Sequence, residues 1–175
     1  NPLGLFSLST STLSPIGGFL IGIATALIYG YRQRLPFRQS LDALTPGLAF
    51  FMISIGVSHL LSGNAYGSPS RVPWAMYVWS DYRHPTQLYE IFLALAIFTL
   101  VLPKVLPAHA PGIRFAQFVS LSALARVFLE AFRGDSVLWL DGYRAAQVMG
   151  LLVLIICIVL LRQWERIEPN EASVW

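Results

Sequence analysis

Apolar residues in this chain come in five long runs, and polar residues gather in the stretches between them. "PIGGFLIGIATALIYGY" (15–31) is followed by the basic "RQRLPFRQ". "LDALTPGLAFFMISIGVSHLLSG" (41–63) comes next, interrupted by Pro46 and Gly47, and leads into a polar and aromatic stretch, 64–85. The third run, Thr86 to Leu102, stops at Pro103; the fourth is "IRFAQFVSLSALARVFLEAF" (113–132). The fifth, "AAQVMGLLVLIICIVLL" (145–161), ends at "RQWER". Each approaches the roughly 20 residues a helix needs to cross hydrocarbon. None shows the strict alternation of a barrel strand, and backbone facing lipid must satisfy its own hydrogen bonds. The pattern predicts an all-α polytopic membrane helix bundle, about five transmembrane helices in a single transmembrane domain over 1–175, without internal repeats.

Composition sharpens this. Of 175 residues, 55% are hydrophobic and 12% charged, and mean hydropathy is +0.61; soluble domains carry about twice that share of charge. The net charge of +3 is scattered, with no basic stripe or aromatic platform, so nucleic acid is not an expected partner. Cys157 is the lone cysteine, which excludes a disulfide within one chain and a cysteine metal site. His59, His84 and His109 lie far apart, without the short spacings of metal ligands. "NPLGLFSLSTSTLS" lacks a basic n-region and does not read as an intact signal peptide; with Asn1 rather than Met first, sequence upstream is expected to have been removed or to be missing.

Orientation follows the placement of Lys and Arg. Arg32, Arg34, Arg38, Lys104, Arg114, Arg162 and Arg166 fall on one side of a five-span topology, against Arg71, Arg83, Arg133 and Arg144 on the other. The excess predicts an outside N-terminus, an outward-facing loop over 64–85 and a cytoplasmic tail over 162–175. Trp74, Tyr77, Trp79 and Tyr82 of that loop suit a membrane interface.

The expensive residues are polar ones inside apolar runs. Arg126 and Glu130 are four apart, so they share a helix face and can pair. A charge at the bilayer centre costs at least about 2.5–3.5 kcal/mol on insertion scales, so neither should face lipid. An internal ion pair that fixes packing is the bland reading. An arginine fork offered to a phosphate diester, with Glu130 holding it, is the functional one; Arg133 follows one turn later. The stretch "RHPTQLYE" opens the third run and brings His84, Gln87, Tyr89 and Glu90 to the same outer end. Taken singly, His84 and Gln87 could satisfy backbone groups, Tyr89 could anchor at the interface, and Glu90 could sit near the helix's positive end. As a group they point to an outer-leaflet polar pocket. His59 with Ser58 and Ser62 adds polarity near the end of the second run. Gly56, Gly63 and Gly67 there allow close approach of backbone or ligand.

"HPTQLYE" resembles the HPSQLYE segment of bacterial prolipoprotein diacylglyceryl transferases. "GGFLIG", a basic loop, "GNAYG", "HPTQLYE", "ARVFLEAFRGD" and "QVMGLLVLI" follow that family's order over about residues 15–161. The resemblance implies a multi-pass protein of the bacterial inner membrane with further helices upstream. It implies transfer of a diacylglyceryl group from phosphatidylglycerol, or a similar phospholipid, to a lipobox prolipoprotein cysteine, without metal or organic cofactor. His84, His59 and Arg126 become the catalytic candidates; Gln87, Tyr89, Glu90, Glu130, Arg133, Gly63 and Gly67 become the substrate-binding ones. The sequence departs from the family signature "GRLGNFINGE", with Gly56 at its Arg, His59 at its Asn and Asn64 at its acidic residue. The family's His before the paired glycines falls on Ile16. Two functions are therefore expected as alternatives: a divergent, lipid-binding member with diacylglyceryl transfer as its ancestral activity, or a catalytically degenerate member serving as a structural or lipid-binding subunit among other membrane subunits. A channel or transporter fits least, since inverted repeats and a polar file across several helices are absent.

Overall fold

The computed structural model describes residues 15–106, 108, 110–139 and 142–167. Helices dominate: α1 (Pro15–Arg32), α2 (Phe37–Ser62), α3 (Thr86–Leu100), α4 (Ile113–Glu130) and α5 (Ala145–Ile167). The chain divides into two units at Ser40 and Leu41. In the first, α1 exposes Phe19, Leu20, Ile21, Ile23, Leu27 and Ile28.

The second unit holds the core. Ala49 of α2, Ile97 of α3, and Phe118 and Ala125 of α4 pack together with Val101, flanked by Met52, Leu93 and Phe115. On α3 the inward stripe runs Gln87, Glu90 and Ile91, Ala94, Ile97, the three-and-four spacing of one helix face. Among the described residues, two helices are long and apolar enough to cross a membrane: Phe37–Ser62 and Ala145–Trp164. Only 17% and 11% of their apolar windows are buried, unlike core helices of a soluble protein. At 1.5 Å per residue the 26-residue α2 is about 39 Å long, whereas the 15-residue α3 reaches about 22 Å.

Pro46 does not interrupt the second element. The helix runs through it and starts four residues earlier than the apolar run, at Phe37. A proline removes one ladder N–H, and the turn beside it is held by the buried Thr45 hydroxyl, which donates to the Leu41 carbonyl at 2.9 Å. At the opposite end, α5 continues past Leu161 to Ile167, so the first part of the expected tail is helical; residues 168–175 lie outside the described ones, as do His109 and residues 1–14.

Among the described residues, the connections hold what hydrophobic periodicity does not show, two small antiparallel hairpins: β1 (Met76–Val78) with β2 (Asp81–Arg83), and β3 (Leu138–Trp139) with β4 (Tyr143–Arg144). Trp79 and Ser80 both take positive φ, 52° and 63°, which is the hand a two-residue hairpin turn requires. Trp79 Nε1 donates to the Gly63 carbonyl at 2.8 Å and ties this hairpin to the end of α2.

At the loop end of α4, Asp42 caps from another helix. Its Oδ2 accepts the Gly112 N–H at 2.7 Å and its Oδ1 the Phe115 N–H at 2.8 Å. Two of the N–H groups that a helix start leaves open thus meet a carboxylate, at the end whose dipole favours negative charge.

Candidate functional site

The end of α2, the start of α3 and the end of α4 meet through one short segment, residues 64–69. Main-chain bonds lace it on two sides. The His84 N–H donates to the Ser68 carbonyl at 3.1 Å; the Ser68 N–H donates to the Phe132 carbonyl at 2.8 Å; and the Gly134 N–H donates to the Tyr66 carbonyl at 3.0 Å. Gly67 lies at the crossing, in bridge pairing with Arg133. A Cβ added there would overlap the His84 carbonyl oxygen, so this glycine is required by contact.

The motif "HPTQLYE" divides into two jobs. Thr86 and Gln87, both buried, hold the segment: Thr86 Oγ1 donates to the Ala65 carbonyl at 2.6 Å and Gln87 Nε2 to the Asn64 carbonyl at 2.9 Å. Gln87 therefore satisfies backbone, which is the plainer of its two sequence readings. Glu90, one turn further along α3, turns to α2, where its Oε2 lies 2.7 Å from His59 Nδ1. The pair is partly open, the side chains being 30% and 18% exposed. An ionised carboxylate only accepts, so Nδ1 is the donor in this contact.

Gly56 explains how the helices come close enough for this pair. It is buried one turn before His59, and a Cβ there would lie 2.9 Å from Ile91 Cγ1 and 3.4 Å from the Ile91 nitrogen. The space beside Gly56 is thus filled by α3.

His84 and Tyr89 form a second cluster. Phe132 packs edge-on against both rings, at centroid distances of 5.3 and 5.9 Å. Tyr89 Oη accepts from Trp74 Nε1 at 2.7 Å and stands 3.5 Å from His84 Nδ1. Sequence reading treats Trp74 as one of several interface aromatics; its tie to a motif residue is visible only in three dimensions.

On α4, Glu130 is 1% exposed and its Oε2 lies 3.3 Å from Arg126 Nη2, a charge contact without aligned hydrogen-bond geometry. The Arg126 side chain is 42% exposed, so its fork is pinned from one side and open on another. Arg133 is committed differently: Nε and Nη2 grip both oxygens of Asp135 at 2.9 and 2.8 Å. That bidentate pair occupies most of a fork that sequence reading assigns to substrate. Gly63, with φ 70°, supplies the turn leaving α2. Ile16 lies in α1, with its side chain outside the described ones. A hollow of about 280 Å³ in the loop, lined by Ser70, Arg71, Val72, Pro73, Ala75 and Tyr82, includes none of the candidate residues.

Two polar pairs and an aromatic-held histidine thus gather at one end of an apolar helical bundle. The family model for prolipoprotein diacylglyceryl transferase matches residues 1–163, and the chain belongs to that family. Among curated relatives, the phosphatidylglycerol–prolipoprotein diacylglyceryl transferase of Idiomarina loihiensis is 31% identical over 97% of this chain and 66% of its own length. Those of Nostoc sp. and Thermosynechococcus vestitus are each 29% identical, over 77% and 79% of this chain and 53% and 56% of their own lengths. The chain thus spans about half the length of these two relatives.

Proposed function

We propose that the chain is a divergent, lipid-binding member of the family that retains diacylglyceryl transfer, with five membrane-spanning helices in the bacterial inner membrane and the 64–85 loop on the outer face. The donor would be phosphatidylglycerol or a similar phospholipid, and the acceptor the cysteine of a lipobox prolipoprotein. The observation that carries this reading is the half-open Arg126 fork steadied by buried Glu130. An arginine so placed suits a phosphodiester that arrives laterally from lipid. In the reaction, the acceptor sulfur attacks the terminal diacylglyceryl carbon. A C–S bond forms as the C–O bond to phosphate breaks, and glycerol phosphate leaves with the electron pair. One of the two histidines takes the thiol proton, and Arg126 stabilises the leaving phosphate. Gln87, Thr86 and Gly67 act by holding the frame, and no metal or organic cofactor is called for.

The test is complementation in bacteria depleted of their own transferase, using the full-length protein. Growth, with one diacylglyceryl group added to a lipobox peptide, supports the proposal. Arg126→Lys is the informative variant, since it keeps a charge beside Glu130 while removing the fork; Arg126→Ala would also strand a buried carboxylate.

One observation favours a second reading, a degenerate lipid-binding subunit of a larger membrane complex: the niche of the signature arginine is closed at Gly56. Membrane-located protein that leaves the peptide unmodified, and copurifies with other subunits, selects that reading.

A further inference from the structure

We infer that the two histidines of this site are held in opposite tautomers, His59 as an oriented base and His84 as a hydrogen-bond donor, and that Trp74 is a positioning residue for the second. The assignment of roles rests on the transfer reading above; the tautomers rest on geometry alone.

His59 comes first. Glu90 Oε2 accepts a hydrogen bond from the Nδ1–H at 2.7 Å, which assigns the Nε2 lone pair as the ring's basic position. Of the two rings, this is the one able to accept the thiol proton, and the imidazolium formed would sit against a carboxylate.

His84 has the reverse surroundings. Trp74 Nε1 is a donor only, so at 2.7 Å it occupies a lone pair of Tyr89 Oη and leaves the phenol's own proton to be placed. His84 Nδ1, 3.5 Å from the phenol oxygen, is the acceptor that this assignment gives to that proton. With Nδ1 accepting, Nε2 carries the ring proton. Phe132 against both rings restricts their rotation. A neutral imidazole so held cannot take a proton at Nε2, but it can donate one hydrogen bond to the phosphate oxygen as the C–O bond breaks. The proton balance is then complete: the thiol proton ends on His59, and His84 keeps its own.

The measurement is nitrogen NMR on histidine-labelled full-length protein in phospholipid nanodiscs, with the rings distinguished by His59→Gln and His84→Gln. The expected result is a protonated Nδ1 on His59, lost in Glu90→Leu. His84 should show a bare Nδ1 whose resonance carries a hydrogen-bond shift, absent in Tyr89→Phe and reduced in Trp74→Phe, with His59 unmoved in both. The same tautomer on both rings overturns the inference, as does a His84 Nδ1 resonance that neither substitution moves. In the transfer assay, His84→Gln retains an N–H donor and should lose clearly less activity than His84→Ala. His84→Ala, His59→Ala and His59→Gln should each lose about a hundredfold or more. A His84→Gln variant as impaired as His84→Ala overturns the donor role. Opposite tautomers in a protein that transfers nothing would leave the inference on geometry standing and remove the transfer reading instead.

Discussion

The Gly56→Arg substitution inserts the side chain that the family signature carries at this position, and its outcome can be worked from the helix crossing. A Cβ alone meets Ile91 Cγ1 at 2.9 Å and the Ile91 nitrogen at 3.4 Å. The methylene can rotate away, but the nitrogen belongs to the α3 ladder. Overpacking of this kind costs about 1–3 kcal/mol, which is the whole effect expected for Gly56→Ala. Arginine adds a charge to an apolar crossing, about 2.5–3.5 kcal/mol on membrane-insertion scales. Together these come to about 3.5–6.5 kcal/mol, comparable with the lower end of the total stability of many domains, about 5–15 kcal/mol. The assay is unfolding in detergent followed by circular dichroism, with wild type, Gly56→Ala and Gly56→Arg compared. The expected order is a modest loss for alanine and a protein without a cooperative transition for arginine, with Ile91→Ala recovering part of the deficit. A Gly56→Arg protein within about 1 kcal/mol of wild type would refute the reasoning, because it would mean that α2 and α3 part here without cost.

Other substitutions test the frame of the site. Asp42→Ala removes both acceptors from the start of α4 and should destabilise by about 2 kcal/mol, with Asp42→Asn recovering roughly half; faster amide exchange at Gly112 and Phe115 is the local readout. Thr86→Val keeps shape but leaves the buried Ala65 carbonyl without its partner, at a cost of about 1–3 kcal/mol, and Thr86→Ser should restore most of it in the same unfolding assay. Ser80→Gly relieves a non-glycine residue at φ 63°, where the left-handed penalty is about 1–2 kcal/mol; after the glycine entropy cost of about 0.5–1 kcal/mol, the unfolding midpoint should rise or stay level, and a clear fall would contradict the turn.

The five helices were legible because each is long, apolar and bounded by proline, glycine or charge. Their ends were less so: Pro46 looks like a break in sequence, yet one missing N–H is a local loss in a helix otherwise intact. The hairpins escaped because their signals are weak. β1 and β2 turn on Trp79-Ser80, with neither asparagine nor glycine to announce positive φ. Among site residues, the Arg126–Glu130 pairing follows from helical spacing and needed no tertiary information. His59 with Glu90 did need it, since they are 31 positions apart and meet only where Gly56 lets two helices approach. Arg133 was misleading in isolation, because the residue that occupies it, Asp135, reads in sequence as ordinary loop charge. Trp74 offered no signal beyond being one aromatic among four.

The lacing around residues 64–69 sets a timetable for synthesis. Ser68 donates to Phe132, and Tyr66 accepts from Gly134, across more than sixty intervening residues. Loop-closure entropy for such a span must be overcome before those bonds can stabilise anything. A nascent chain that has delivered α2 and α3 can form the His59–Glu90 pair and the Thr86 and Gln87 contacts, but one edge of the segment remains unpaired until α4 has followed. The candidate site is therefore completed late, and a chain halted before residue 132 would present the Ser68 N–H and the Tyr66 carbonyl as a short adhesive edge for quality-control machinery to recognise.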